Sequence, residues 1–166
     1  LGGATSTETV HSMVVNAQDE LMLYGVTGST DFPIVSGAYD STFGGGTSVS
    51  LVSNGTFFSS GTDIYLAKFD TAGANLLAST YVGGTANDGI NESLTLVYNY
   101  GDQFRGEIQV DNNGNFYVAS CSRSTNFPVT PGVAQPTLSG GFDGVLFKMD
   151  PSLSSMTWCT YVGGLS

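Results

Sequence analysis

The chain has 166 residues, a length that ordinarily makes one domain, and only 4 Lys plus Arg stand against 14 Asp plus Glu, a net charge of −10. That balance excludes nucleic acid as a partner, since phosphate binding needs clustered cations, and it disfavours an anionic membrane surface for the same reason. No apolar run approaches the roughly 20 residues that span a bilayer, so no direct membrane insertion is expected, and 23 glycines with few charges fit a secreted all-β protein.

Taken in chain order, the first signal is Leu1-Gly2-Gly3, the tail of a motif that returns as TYVGG at residues 80–84 and 160–164. Gly2 to Gly83 is 81 positions and Gly83 to Gly163 is 80. A period this long, carried by β-type residues, marks an array of sheets. Residues 1–84 form unit 1 and residues 85–166 form unit 2. Because the chain opens in mid-motif, any export signal is expected to lie outside it.

Unit 1 offers strand runs at residues 13–16, 21–27, 64–69 and 76–82. Between the second and third lies an insertion, residues 47–61, with its own hairpin signal at Asn54-Gly55. Unit 2 opens on a different insertion, about residues 88–105, which contains SLTLVY and a turn signal near residues 99–102. Its strand runs follow at 107–111, 115–121, 144–149 and 156–162, here called a, b, c and d. Asn112-Asn113-Gly114 and Asp150-Pro151-Ser152 supply the a–b and c–d turns. No helix is required.

The two units align closely. Residues 63–84 match 143–164 without a gap, which makes Asp63, Leu66, Lys68 and Asp70 equivalent to Asp143, Leu146, Lys148 and Asp150. STDFPIVSGAYDSTFGGG from Ser29 matches STNFPVTPGVAQPTLSGG from Ser124 at an offset of 95. Runs such as Phe116-Tyr117-Val118-Ala119 are apolar on consecutive residues, so both faces of each sheet should be buried. A four-stranded antiparallel sheet covered on both sides by its own repeats is a β-propeller blade; a two-sheet sandwich would alternate more cleanly. The expected fold is all-β, two four-stranded antiparallel blades of a larger propeller.

The ordered set VDNNGNFYVAS, RSTNFPVTPGV, GFDGVLFKMDPS and CTYVGG resembles the SBBP repeat, the seven-bladed β-propeller repeat of bacterial secreted and surface proteins. Unit 1 departs from it where Asn16 replaces the strand-end Asp and residues 17–20 lack the turn glycine. The resemblance implies the propeller fold and a secreted or cell-surface bacterial setting, with no single activity.

In an a-b-c-d blade the a–b and c–d turns emerge on one side, and the b–c and d–a connections on the other. Both insertions fall on the second side, so any binding is expected on that rim. Its candidate contacts are Phe57, Phe58, Tyr98, Tyr100, Asp102 and Phe104, with Asp88 and Glu92 as further acids; aromatics beside carboxylates suit sugar or peptide contacts. Phe57 and Phe58 have a second reading, as anchors that pack the inserted hairpin onto the blade.

The chemical candidates read mostly as architecture. Asp63 with Asp143 and Asp70 with Asp150 recur at strand ends, whereas an active site is assembled from non-equivalent residues. Asp111-Asn112-Asn113-Gly114-Asn115 begins like a calcium loop but lacks the later Glu, so a tight turn is expected. Lys68 and Lys148 should lie along strand c and meet Asp70 and Asp150. His11, the only histidine, has no nucleophile motif to serve. Cys121 on b and Cys159 on d are two strand spacings apart, roughly 9.6 Å against a bridge limit of roughly 7 Å, so two free buried thiols are expected. Asn54 and Asn91 match the N-glycosylation sequon, and Asp70-Thr71-Ala72 and Asp40-Ser41-Thr42 resemble a bacterial O-glycosylation motif.

No catalytic residue, metal or cofactor is therefore expected. The exposed flanks of two blades should be completed by further blades of the same polypeptide, or by other copies of the chain. The leading expectation is a non-enzymatic scaffold that mediates protein–protein or glycan contacts, with a surface protein or glycan as ligand. A subunit of a secretion or gliding machine, and a propeller glycan hydrolase or lyase, are the alternatives.

Overall fold

The computed structural model describes residues 1–52, 55–99 and 101–165. The strands are β1 (Glu8–Val15), β2 (Leu21–Thr27), β3 (Val49–Ser50), β4 (Phe57–Phe58), β5 (Asp63–Phe69), β6 (Leu76–Val82), β7 (Glu107–Val110), β8 (Phe116–Ser122), β9 (Asp143–Met149) and β10 (Met156–Val162). β1-β2-β5-β6 form one antiparallel sheet and β7-β8-β9-β10 a second, while β3 and β4 pair as a small hairpin. The chain is all-β, with the four strands of each unit in the order a, b, c, d. Among the described residues no helix is long and apolar enough to cross a membrane.

Turn chemistry explains the short connections. Asp111 accepts the N–H groups of Asn113 and Asn115 at 2.9 and 3.0 Å, and Gly114 takes a φ of +79° there, a left-handed conformation that favours glycine. The calcium-like run is thus a tight turn whose carboxylate is already engaged. Asp70 and Asp150 do the equivalent work at the two c–d turns, accepting from the N–H of Ala74 at 2.8 Å and of Ser154 at 2.9 Å.

β1 starts five residues earlier than the sequence suggested. Its polar opening hides a strand interrupted by a bulge at His11, where the register with β2 shifts between Val10 and Ser12. One extra residue breaks the alternation on which strand reading depends.

Each sheet has two distinct faces. On the first sheet the front carries Met22, Tyr24, Ile64, Leu66, Ala78 and Val82, and the back carries Leu23, Tyr65, Ala67 and Tyr81. In the aligned positions of the second sheet, Val118, Val145, Phe147 and Tyr161 are the back. The front of the first sheet packs on the back of the second in one shared core. Burying a Phe or Leu there stabilises by about 1.5–3 kcal/mol. Tyr24 carries its hydroxyl across the interface to Ser120 Oγ at 2.6 Å.

The back of the first sheet is covered by its own b–c connection, with Phe32, Ile34 and Phe43 over Tyr65 and Tyr81. The inner strands of the first sheet are therefore buried on both faces, as their consecutive apolar residues require, while Met13 and Val15 of strand a stay exposed. The two b–c connections wrap the d strands identically: Tyr81 N–H reaches Asp40 O and Tyr161 N–H reaches Gln135 O, each at 3.1 Å.

TYVGG recurs for a steric reason. A Cβ on Gly83 would collide with the Asp63 carboxylate and crowd Asp88, and one on Gly163 would collide with Asp143. The next glycine, Gly84, lies against Ser124 and Asn126, as Gly3 lies against Ser29 and Asp31.

The lysines take different partners from those expected. Lys68 Nζ pairs with Glu20 at 3.1 Å, and Lys148 Nζ lies 3.7 Å from Asp111 and 4.8 Å from the centroid of the Tyr117 ring. Each reaches across strand b to the a–b turn, because Asp70 and Asp150 are spent on their own c–d turns. Cys121 and Cys159 are free and buried, as their strand positions dictate.

Candidate functional site

The rim is built by the two insertions together. Leu51 and Phe58 from the first and Ile90 from the second meet Val26 in a buried cluster, with Val49 and Phe104 packed against it. In β4, successive side chains point to opposite faces. Phe58 is therefore fully buried while Phe57 is 56% exposed. The anchor reading holds for Phe58, which cannot touch a ligand, and Phe57 faces outward.

The second insertion folds as two 3₁₀ turns, Leu94–Leu96 and Asp102–Phe104. Tyr98 lies between them and is 86% exposed. Asp102 is buried, not a surface acid: it accepts the N–H of Tyr98 at 2.6 Å and of Asn99 at 2.8 Å, and pairs with Arg105. Those N–H groups, and then the guanidinium, hold its carboxyl below the usual range. Phe104 is half-buried, its ring centroid 5.2 Å from that of His11. Tyr100 and the Asn54 sequon lie outside the described residues.

His11 stands between Phe104 and Tyr24, with Nε2 3.0 Å from Thr9 Oγ1. Nδ1 is buried without a hydrogen bond, and burial lowers the imidazole to about 4. It is a neutral packing residue that helps seat the second insertion on the first sheet.

Asp88 was expected among the rim acids, yet it is sealed inside. It accepts the hydroxyls of Ser122 at 2.5 Å and Ser124 at 2.8 Å and the N–H of Gly84 at 2.7 Å, fastening the start of unit 2 to its own strand b. Asp63 also lies against Gly83, accepting the N–H groups of Gly44 at 2.7 Å and Gly45 at 3.0 Å. Burial raises Asp63 to about 8, opposed by the Gly44 hydrogen bond and reinforced by the Asp88 charge. Asp88 is raised to about 6, also by burial. Two neighbouring carboxyl groups with raised pKa values are the chemistry of an acid–base pair. Both are occluded from solvent, so in this arrangement they do not reach a substrate.

A groove of about 350 Å³ opens on the same rim, lined by Thr47 of unit 1 and by Asn87, Glu92, Arg123, Thr125 and the apolar Leu138 of unit 2. Arg123 pairs with Glu92 at 2.8 Å, and Asn87 Nδ2 donates to the other Glu92 oxygen at 2.6 Å. A second hollow shares Glu92 and Arg123 and adds the ring of Phe142. Sequence reasoning missed Arg123, although a signal existed: with four cations in the chain, both arginines answer an acid of the second insertion.

Among the described residues no group of three or more His, Cys, Asp or Glu side chains is placed to hold a metal ion. No protein-family model matches the chain, and no curated protein sequence is significantly similar to it.

Proposed function

We propose that the chain is part of a non-enzymatic β-propeller scaffold of a secreted or cell-surface protein, and that it binds a protein or glycan through the long-loop rim. The observation that carries this is the shared cluster of the two insertions. Segments from different loops of different units converge on Leu51, Phe58 and Ile90, and they leave Phe57 and Tyr98 exposed beside the strand connections. An exposed aromatic ring offers large contact area at low entropic cost, and the Glu92–Arg123–Asn87 network offers planar hydrogen-bonding groups of the kind that hydroxyl-rich or peptide ligands use.

The blade reading is supported by the front-on-back packing of equivalent sheets and by the burial of both faces of the first sheet's inner strands. The secreted setting is supported by composition and by the repeat resemblance.

The test is binding of the chain to an array of bacterial surface polysaccharides and to immobilised cell-surface protein, followed by assay of any bound polysaccharide for new reducing ends. Binding is expected to fall at least tenfold in Phe57→Ala and Tyr98→Ala with the urea midpoint unchanged. Release of reducing ends, or binding indifferent to both substitutions, would overturn the reading.

A further inference from the structure

The contact between the two sheets is heterologous: one unit's front meets the other's back. Such a contact leaves one unused surface of each kind, the strand-a edge of the first sheet's back, which the b–c connection over Tyr65 and Tyr81 leaves open, and the front of the second sheet. Side chains at equivalent positions show how far each surface is exposed. On the front, Leu66 and Val82 are fully buried in the first sheet, whereas their counterparts Leu146 and Val162 in the second are 39% and 53% exposed. Tyr24 is buried, and its counterpart Ala119 is exposed. On the back, Ile108 of β7 is 1% exposed beneath the first sheet, whereas its counterpart Met13 on β1 is 68% exposed. Val110 is half-buried, and its counterpart Val15 is 55% exposed.

The front of the second sheet also holds a hollow of about 280 Å³ lined by Gln109, Tyr117, Ala119, Leu146 and Trp158. A small residue stands there at the position where the first sheet has Tyr24. The apolar residues left exposed on strand a of the first sheet are the class of side chain that fills the equivalent space inside the chain.

We infer that the front of the second sheet is a docking surface for the strand-a back edge of the first sheet in a second copy of this chain. Copies add head to tail, Leu146, Ala119 and Val162 of one against Met13 and Val15 of the next, in continuation of the contact already made between the two sheets. Every chain carries both surfaces, so the assembly either closes into a ring with an even number of sheets or extends. The inference rests on the blade reading above and not on the rim. Loss of assembly with rim binding intact refutes only the docking, and the converse refutes only the rim.

The test uses the whole chain and two substitutions at exposed positions, Leu146→Glu on the front and Met13→Glu on the back. In sedimentation velocity the unaltered chain is expected to assemble into oligomers as concentration rises. Each variant alone is expected to be monomeric, since one surface of every contact is charged. Their equimolar mixture should form a dimer and stop there, because only the front of the Met13→Glu chain and the back of the Leu146→Glu chain remain competent. Three results would overturn the inference: an unaltered chain that stays monomeric to about 1 mM, a single variant that assembles as the unaltered chain does, or a mixture that fails to pair. If circular dichroism shows either variant unfolded, Ala119→Lys and Val15→Lys take their places with the same outcomes.

Discussion

The chain is expected to lose stability above pH 6.5, and Asp63→Asn to flatten that fall. Burial raises the Asp63 carboxyl from 3.8 to about 8, so the folded state keeps a proton that the unfolded chain releases above about pH 4. With the folded pKa above the unfolded one, this stabilisation is complete below the unfolded pKa and is lost as pH rises to the folded one, at about 1.4 kcal/mol per pH unit. Two other buried groups titrate on the way. Asp88, raised from 3.8 to about 6, acts with the same sign and is nearly finished by then. His11, lowered from 6.5 to about 4, acts with the opposite sign, gaining stability up to pH 6.5. Between pH 6.5 and 8 the residual terms of Asp88 and His11 are a few tenths of a kcal/mol and opposite in sign, so Asp63 dominates, with an expected loss of about 2 kcal/mol. The thiols, raised from 9 to about 12, add their own loss only as pH approaches 9. Urea midpoints at half-unit intervals across the window, read by Trp158 fluorescence, measure the slope. The variant starts lower by about 1 kcal/mol, because one amide N–H faces a glycine N–H that it cannot satisfy, but its midpoint stays level. Equal slopes in the two proteins would refute the assignment of the proton to Asp63.

Phe58→Ala, which empties a buried position of the rim cluster, should lower stability by about 3–5 kcal/mol. Phe57→Ala, one residue away on the outer face, should change it by less than about 0.5 kcal/mol; urea titration of the pair checks the alternation directly. Cys121 and Cys159 should resist an aromatic disulfide reagent in the native chain and react fully after unfolding in urea. An intact mass short by two hydrogens would contradict their placement on non-adjacent strands.

The strand order was legible because b, c and d carry consecutive apolar residues bounded by Asn, Asp, Gly and Pro turns. The start of β1 was not, since Glu8, Thr9 and His11 are polar and the His11 bulge removes the alternation. The rim's location followed from connectivity alone: insertions in b–c and d–a connections must share one end of the sheets. What each rim residue does there was hidden, because the deciding partners are remote in sequence. Asp88 reads as a surface acid until Ser122, at the end of strand b, and Ser124, just beyond it, arrive to enclose it. Phe57 and Phe58 are indistinguishable as letters, and the pleat of a two-residue strand assigns them to opposite sides. The lysine partners were misplaced because Asp70 and Asp150, nearest in sequence, are held by their own turns.

The front-on-back packing of equivalent sheets underlies the blade reading, the rim and the docking surface alike, and the Tyr24–Ser120 contact crosses it at 2.6 Å. A double-mutant cycle with Tyr24→Phe and Ser120→Ala, measured by urea unfolding, tests it most directly. The account predicts a coupling of about 1 kcal/mol between the two hydroxyls. Additivity to within about 0.3 kcal/mol would contradict it.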